Sequence, residues 1–228
     1  MEIVFTNTKN IPDKFFPKPA SKCIPDWYKD LGSYTNGKKA PLSNGKSTAT
    51  AKRCMPIFDS ITSGYIIELP ADIYLTQENG IPYFQWSNFK LVDFHEKEQI
   101  PNYPNSANLE LFPKWMNPWS IKTPKGYSTL FIQPMHRDLP FTILPGVVDT
   151  DKYTAPVNFP FLINDPNFEG LIPAGTPIAQ VIPFKREPWE MSIGKEKDLI
   201  EQEQVLNLLF TKFFDKYKNY FRAEKVYK

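Results

Sequence analysis

The sequence predicts a mainly β protein, a distorted sandwich with an N-terminal wrapping arm and one long C-terminal amphipathic helix. Twenty-three prolines among 228 residues, about twice the usual frequency, disfavour long helices over most of the chain. Short apolar and aromatic runs between turn residues predict strands within residues 54–190. Apolar residues recur at steps of three and four only after residue 195. We therefore expect a single domain over residues 1–228, with its β core at 54–190.

The first two segments lack the composition of regular structure. Residues 1–31 contain a predicted strand at 2–5 and then alternate prolines with aromatic residues, so we expect an extended arm pinned by Phe15, Phe16, Trp27 and Tyr28. Residues 32–53 are rich in Gly, Ser, Thr, Asn and Lys and contain no acidic residue. They are predicted to form a flexible basic loop. A loop that closes over a phosphate or a nucleic-acid backbone is the less favoured alternative.

The β core and the helix follow from residue type and period. Strands are predicted at 55–58, 65–69, 73–75, 83–86, 89–94, 127–133, 141–144, 156–163 and 178–184, with a hairpin turn at Asn79-Gly80 and one helical turn around 109–115. Residues 195–222 are predicted to be helical, with acidic residues in the first turns and basic residues near the end, which suits the helix dipole. The apolar stripe of this helix is expected to pack on the sheet or on a neighbouring subunit.

Charge and terminal composition restrict the classes of partner. A net charge of +2 gives no global attraction for nucleic acid or membranes, so a nucleic-acid partner is not expected. The first residues lack the basic start and apolar stretch of a signal peptide. We expect a cytoplasmic protein, in the host cytoplasm if the chain is phage-encoded. Cys23 and Cys54 have no CxxC spacing and are expected to be free thiols, although the sequence leaves a disulfide open.

Two glycine-led motifs make residues 121–186 the region where function is expected. Residues 146–153 read G-V-V-D-T-D-K-Y, and residues 175–180 read G-T-P-I-A-Q. The first resembles the motif G-V-I-D-x-D-Y and the second the motif G-x-R-I-A-Q of the trimeric dUTPase and dCTP deaminase group. The pattern also resembles a family found in phages and bacteria. Ser63-Gly64-Tyr65 is faintly similar to the first motif of the same group, A-G-x-D-L.

The resemblance implies a β-clip fold, a homotrimer and a phosphorylated small ligand in a subunit groove. Asp149 matches the position of the group's general base, which orients or deprotonates the attacking water while Mg²⁺ bridges phosphate oxygens. Tyr153 would stack on the base or sugar, and Gln180 would support the groove. The remaining polar residues are expected to contact the ligand or a metal: Arg137 and Lys152 at phosphates, Asp151 and Glu169 as helpers.

The chain also departs from the group's pattern. Lys152 is inserted before Tyr153, which predicts that the tyrosine points the other way along a strand; Pro177 stands where the group has arginine. The long helix replaces the group's glycine-rich C-terminal arm. A second hypothesis is therefore a non-catalytic binding or structural module, for example of a phage particle, in which Asp149 and Asp151 only cap a turn. His136-Arg137-Asp138 lacks the context of a kinase loop, and no later histidine completes an iron triad.

Overall fold

A computed structural model describes residues 1–37, 48–78, 81–87, 89–104, 106, 111–210 and 215–228. Its strands are β1 Val4–Asn7, β2 Lys18–Pro19, β3 Tyr65–Glu68, β4 Ile73–Glu78, β5 Ile81–Trp86, β6 Val92–Glu96, β7 Leu111–Trp115, β8 Trp119–Lys122, β9 Tyr127–Ile132, β10 Phe141–Ile143, β11 Gly146–Val148, β12 Phe159–Ile163, β13 Gly170–Ile172 and β14 Pro177–Lys185. Its α-helices are α1 Asp26–Asp30, α2 Met55–Thr62 and α3 Glu196–Phe210, and Tyr217–Phe221 form a π-helical turn. Short 3₁₀ turns span Asp13–Phe15, Ala20–Lys22, Thr35–Gly37, Ala51–Arg53 and Lys97–Gln99.

The predicted mainly β class is confirmed, with the strands paired in antiparallel sheets and α3 near the C-terminus. The chain divides into two compact units. The first comprises residues 1–23, 62–186 and 227, and it contains all the strands named above. The second comprises residues 24–61, 187–226 and 228, and it contains α1, α3 and most of α2. The expectation of a single domain over residues 1–228 stays a prediction.

In the first unit the strands form four sheets. The largest has the order β11-β9-β14-β3-β2, and a second has the order β10-β12-β7-β6. A three-stranded sheet has the order β13-β4-β5, and β1 pairs with β8. Pro177 begins β14, next to a register shift against β3, whereas Pro113 and Pro160 lie within the central strands β7 and β12.

The core of the first unit is aromatic. The rings of Trp115 and Phe161 stack with centroids 4.0 Å apart, and Phe141 meets the Trp115 ring edge-on at 5.0 Å. These three side chains lie on β7, β12 and β10, which are neighbours in the four-stranded sheet. Phe84 of β5 packs edge-on against Phe161 at 5.8 Å. Ring contacts in these geometries stabilise the fold beyond the free energy of burying the rings. Because Phe84 belongs to the three-stranded sheet, the cluster joins two of the sheets.

In the second unit one acidic residue joins α2 to the segment that follows the π-helical turn. Asp59 of α2 accepts hydrogen bonds from Arg222, at 2.7 Å from Nη2 to Oδ1, and from Lys225, at 2.9 Å from Nζ to Oδ2. The Arg222 guanidinium, with Lys225, lowers the pKa of Asp59. Arg53 also pairs with Asp215. Helix α3 exposes apolar side chains such as Leu199 and Leu206, and the expected packing of its stripe on a sheet or subunit stays a prediction.

Three local predictions were wrong. Residues 26–30 were expected to belong to an extended arm, but Asp26–Asp30 form α1. Residues 55–58 were expected to form a strand, but they begin α2. Pro56 lies in the first turn of that helix, where a missing N–H breaks no hydrogen bond, and Ile61 is buried. Residues 111–115 were included in a helical turn, but Leu111–Trp115 form β7 because they pair with both β6 and β12. The predicted turn at 79–80 and residues 38–47 of the basic loop lie outside the described residues.

Candidate functional site

Asp149 lies directly after β11, in a tight turn. Its carbonyl oxygen accepts hydrogen bonds from the backbone N–H groups of Lys152 and Tyr153, at 2.9 and 2.8 Å. Asp149 and Asp151 therefore belong to the same turn, which lies next to the start of β9. The extra residue at Lys152 is thus absorbed in a turn, and Tyr153 lies outside any strand. The expected reversal of Tyr153 rested on a strand geometry that these residues do not adopt.

Arg186, the residue after β14, joins both carboxylates. Its Nη1 lies 3.1 Å from Asp149 Oδ1 and 2.9 Å from Asp151 Oδ1, and its Nη2 lies 2.5 Å from Asp151 Oδ2. Nη1 also donates to the Tyr127 carbonyl oxygen at 2.8 Å. A planar guanidinium that makes several charge-assisted bonds fixes the turn against β9 and β14. We call Arg186, Asp149 and Asp151 the arginine clasp.

The two carboxylates of the clasp differ in exposure. The Asp151 side chain is 2% exposed, and its Oδ2 also accepts from the Gly126 N–H at 2.8 Å. The Arg186 hydrogen bonds, followed by the Gly126 N–H, lower the pKa of Asp151 to about 2. The Asp149 side chain is 51% exposed. Asp151 is therefore committed to the clasp, whereas Asp149 faces solvent.

One carboxylate oxygen of Asp149, Oδ2, has no hydrogen-bond partner among the described residues. Its Oδ1 accepts from Ser128 Oγ at 2.6 Å and from Arg186, and these are its side-chain partners within the described part of the chain. Its Oδ2 is open to a water or a ligand. Behind the turn, the hydroxyl of Thr150 lies 2.8 Å from that of Thr123 and 2.7 Å from that of Thr129, all three buried. This hydroxyl cluster fixes the backbone on which Asp149 stands.

A cavity of about 430 Å³ lies beside the turn. Val148 and Tyr153, which precede and follow the clasp carboxylates in sequence, line one part of it, and His95 and Lys114 line another. Lys114 Nζ lies 3.3 Å from Asp93 Oδ2, and His95 Nδ1 lies 3.1 Å from Gln99 Oε1. The cavity is of the size that binds small molecules, and it combines apolar walls with a cation and an imidazole. Its remaining lining residues are Pro156, Val157 and Asn158.

Gln180 and Arg137 lie elsewhere in the first unit. Gln180 is buried on β14; its Oε1 accepts from the Met135 N–H at 3.0 Å and its Nε2 donates to the Ser63 carbonyl at 2.7 Å. Arg137 donates to the Cys23 carbonyl, and Cys23 follows β2. Since β2 and β11 are opposite edges of a five-stranded sheet, four strand spacings, about 19 Å, separate them. One chain therefore brings together Asp149, Asp151, Lys152 and Tyr153, with Arg137 at the opposite edge.

The sequence alone did not indicate Arg186, Lys114 or His95 as site residues. Arg186 follows β14, which is paired with β9, and only that pairing brings it to the turn after β11. Lys114 and His95 come from β7 and β6, in a different sheet from β11. Their local sequence carries no motif. Contacts of this kind depend on which strands pair, and that is the part of the fold the sequence pattern leaves open.

Glu169, expected as a polar or metal helper, accepts a hydrogen bond from the Gln77 N–H at 2.8 Å. No group of three or more His, Cys, Asp or Glu side chains that could hold a metal ion occurs among the described residues. Because Arg186 and Gly126 already engage Asp151, the clasp offers a divalent cation one carboxylate oxygen, Asp149 Oδ2. The residues present do not fit a magnesium ion held by protein groups alone.

The described helices include none long and apolar enough to cross a membrane.

Comparisons with known proteins give a weak likeness to dUTPases. No protein-family model matches the chain, and no curated protein sequence matches it. Native EIAV dUTPase matches with 12% identity and a TM-score of 0.31, over 59% of this chain and 84% of that one. A variant dUTPase from phage phi11 of S. aureus, described with a structural Mg(II) ion, matches with 10% identity and a TM-score of 0.36, over 86% and 98%. A variant dUTPase of Staphylococcus bacteriophage 80alpha with dUpNHpp matches with 13% identity and a TM-score of 0.31, over 79% and 87%. TM-scores below 0.5 at such identities decide neither family nor activity.

Proposed function

We propose that the protein binds a nucleotide or another phosphorylated small ligand in the cavity beside the arginine clasp. The observation that carries the proposal is the position of Tyr153: it lines a cavity of about 430 Å³ and stands four residues after the half-exposed Asp149. An exposed aromatic ring beside apolar walls suits a planar base or a sugar. Lys114, which also lines the cavity, and Lys152 in the turn supply positive charge for phosphates.

Hydrolysis is the further part of the proposal, and Asp149 is the residue that would perform it. Its Oδ1 is held by Ser128 and Arg186, so its Oδ2 is oriented and open to a water molecule. A carboxylate in this state can orient that water and accept its proton as the water attacks a phosphorus atom. No step of the proposal is assigned to Mg²⁺, because the described residues do not fit that ion.

Arg137 can join this site only from a second copy of the chain. Within one chain its guanidinium is bound at the Cys23 carbonyl, near the sheet edge opposite β11. A homotrimer, as the sequence resemblance implies, would supply an arginine from a neighbour to each cavity. The proposal therefore predicts a trimeric mass, and a monomeric protein would remove Arg137 from the site.

The second candidate function is a binding or structural module without catalysis. The observation that favours it is the arginine clasp itself, because Arg186 compensates Asp149 and Asp151 without any ligand. In that case the G-V-V-D-T-D-K-Y motif is retained for the stability of a turn. The arginine clasp then only stabilises the turn, and Asp149 is one of the three residues that do so.

The experiment is a panel of dUTP, dCTP and dUMP with Mg²⁺, read by thermal shift and by release of pyrophosphate, phosphate or ammonia. We expect a ligand-induced shift that Tyr153→Ala lowers, whereas Tyr74→Ala on β4, with a similar exposure of 47%, leaves it unchanged. Turnover that Asp149→Asn abolishes would establish the enzyme. Binding without turnover would establish the module, and neither a shift nor turnover with any nucleotide would overturn the proposal.

A further inference from the structure

A second cavity, of about 390 Å³, lies within the second compact unit. Tyr28, Met55 and Phe58 form an apolar part of its wall, and Lys52, Lys218 and Arg222 supply cationic groups. Tyr28 is buried, with its ring 6.1 Å from that of Phe58. The cavity thus has a rigid aromatic wall and a basic one, and its size is in the range of small-molecule sites.

Lys52 brings a positive charge to this cavity that carbonyl groups hold in place. Its Nζ donates to the carbonyl oxygens of Tyr28, at 2.7 Å, and Lys29, at 3.1 Å. It also lies 4.7 Å from the centre of the Tyr28 ring. Carbonyl oxygens and the ring position the ammonium group but leave its net charge uncompensated, and one of its three N–H groups stays available. Within the described residues Lys52 has no carboxylate partner.

The other two cations approach from the C-terminal part of the unit. Arg222 uses Nε and Nη2 to bind Asp59, which leaves Nη1 free of partners within the described residues. Lys218, one turn earlier in the π-helical segment, has an exposed side chain without a partner there. Lys29 also lines the cavity, but its Nζ is paired with Asp26 at 2.8 Å. Three donor groups from three residues therefore remain for a ligand.

We propose that this cavity binds a phosphate monoester with an apolar or aromatic body, as a site separate from the cavity beside the arginine clasp. Three donors on separate side chains match the three terminal oxygens of a phosphate better than the two of a carboxylate. The phosphate would lie among Lys52, Lys218 and Arg222, and the body of the ligand would pack against Met55 and Phe58. Charge complementarity supplies the affinity, and the aromatic wall supplies the preference for an esterified phosphate over the free ion.

The test is isothermal titration of the full chain with phenyl phosphate, inorganic phosphate and benzoate. We expect phenyl phosphate to bind most tightly, because it alone offers three oxygens and a ring. Lys52→Met and Lys218→Met should each weaken its binding at least about tenfold, the usual loss for one charge-assisted hydrogen bond. Lys218 is exposed and outside the hydrogen bonds that hold the unit, so its variant tests the site even if Lys52→Met lowers stability.

Two matched variants isolate the site. Lys216→Met changes a nearby lysine that does not line the cavity and lies over the Tyr220 ring, and it should leave binding unchanged. Tyr153→Ala, in the cavity of the proposed function, should also leave it unchanged, which separates failure of one site from failure of the other. Equal binding by the wild type, Lys52→Met and Lys218→Met would overturn the proposal. Tighter binding of a ten-residue oligothymidylate through the same lysines would overturn it in favour of a nucleic-acid surface.

Discussion

Gly64→Ala is the substitution whose cost follows most directly from the structure. Gly64 has a φ of +72°, a left-handed conformation that costs a non-glycine residue about 1–2 kcal/mol. A Cβ at this position would lie 2.0 Å from the Val181 carbonyl oxygen on β14, far inside the contact distance of about 3.5 Å. Val181 pairs with both β3 and β9, so β14 cannot move away without disturbing two neighbours.

Overpacking against a central strand adds about 1–3 kcal/mol, so the total loss of unfolding free energy should be about 2–5 kcal/mol. Gly175→Ala is the matched control. Gly175 has a φ of +86°, but a methyl group added there would have no atom within 4 Å beyond its chain neighbours. This variant should lose only the conformational term of about 1–2 kcal/mol. The difference between the two variants therefore measures the steric contact alone.

Urea denaturation followed by circular dichroism supplies the measurement, with the midpoints of both variants compared with the wild type at an unchanged slope. Equal losses for Gly64→Ala and Gly175→Ala would refute the close approach of the Ser63-Gly64 turn to β14. Gln180 donates to the Ser63 carbonyl at 2.7 Å, which supports the same approach. Gln180→Leu should accordingly release the turn and reduce the extra cost of the alanine at position 64.

Three further predictions concern the clasp, the second unit and the core. The pKa of Asp151 is about 2 in the folded protein and about 3.9 in the unfolded chain. Asp151 therefore stabilises the protein above about pH 4, and this contribution is lost as the pH falls to about 2. Asp151→Asn should remove this part of the pH dependence of the melting temperature. Asp59→Asn should lower the melting temperature of the second unit by several degrees, measured by calorimetry, because Arg222 and Lys225 lose a shared carboxylate. Phe161→Ala should cost about 3–5 kcal/mol in urea, whereas the exposed Tyr83→Ala should cost less than about 0.5 kcal/mol.

The sequence predicted those strands whose apolar pattern and turn residues are both local. β4, β9 and β14 are examples, each flanked by glycine, proline or polar turns. It did not predict β2, β8 or β13, which have two to four residues each and exist because a neighbour supplies their hydrogen bonds. The prediction of a strand at the start of α2 was wrong because the local pattern there is ambiguous. Its apolar residues suit either period over so short a run, so the local pattern does not decide between a strand and a helix.

The candidate site was predicted to a similar degree. The turn residues Asp149 to Tyr153 lie together because they are neighbours in sequence, and Asp149 is exposed as a base requires. Arg137 was grouped with them because its charge suits a phosphate, but its position depends on the order of strands in the sheet. Lys114 and His95 line the adjacent cavity through the same kind of long-range placement. Proximity between neighbours in sequence could be predicted from the sequence, whereas proximity that depends on strand pairing could not.

The arginine of the clasp, Arg186, lies at a different sequence position from the arginine of the G-x-R-I-A-Q motif. The G-x-R-I-A-Q motif of the resembled group contains an arginine where this chain has Pro177. This chain carries an arginine nine residues later, at the other end of β14, and Arg186 contacts both carboxylates from there. An antiparallel pairing with β9 brings that end of β14 to the turn after β11. Arg186 supplies positive charge beside the motif and binds Asp149 through Oδ1. Under the proposed function Asp149→Asn, which keeps the Oδ1 acceptor for Ser128 and Arg186, should abolish turnover while the melting temperature changes little.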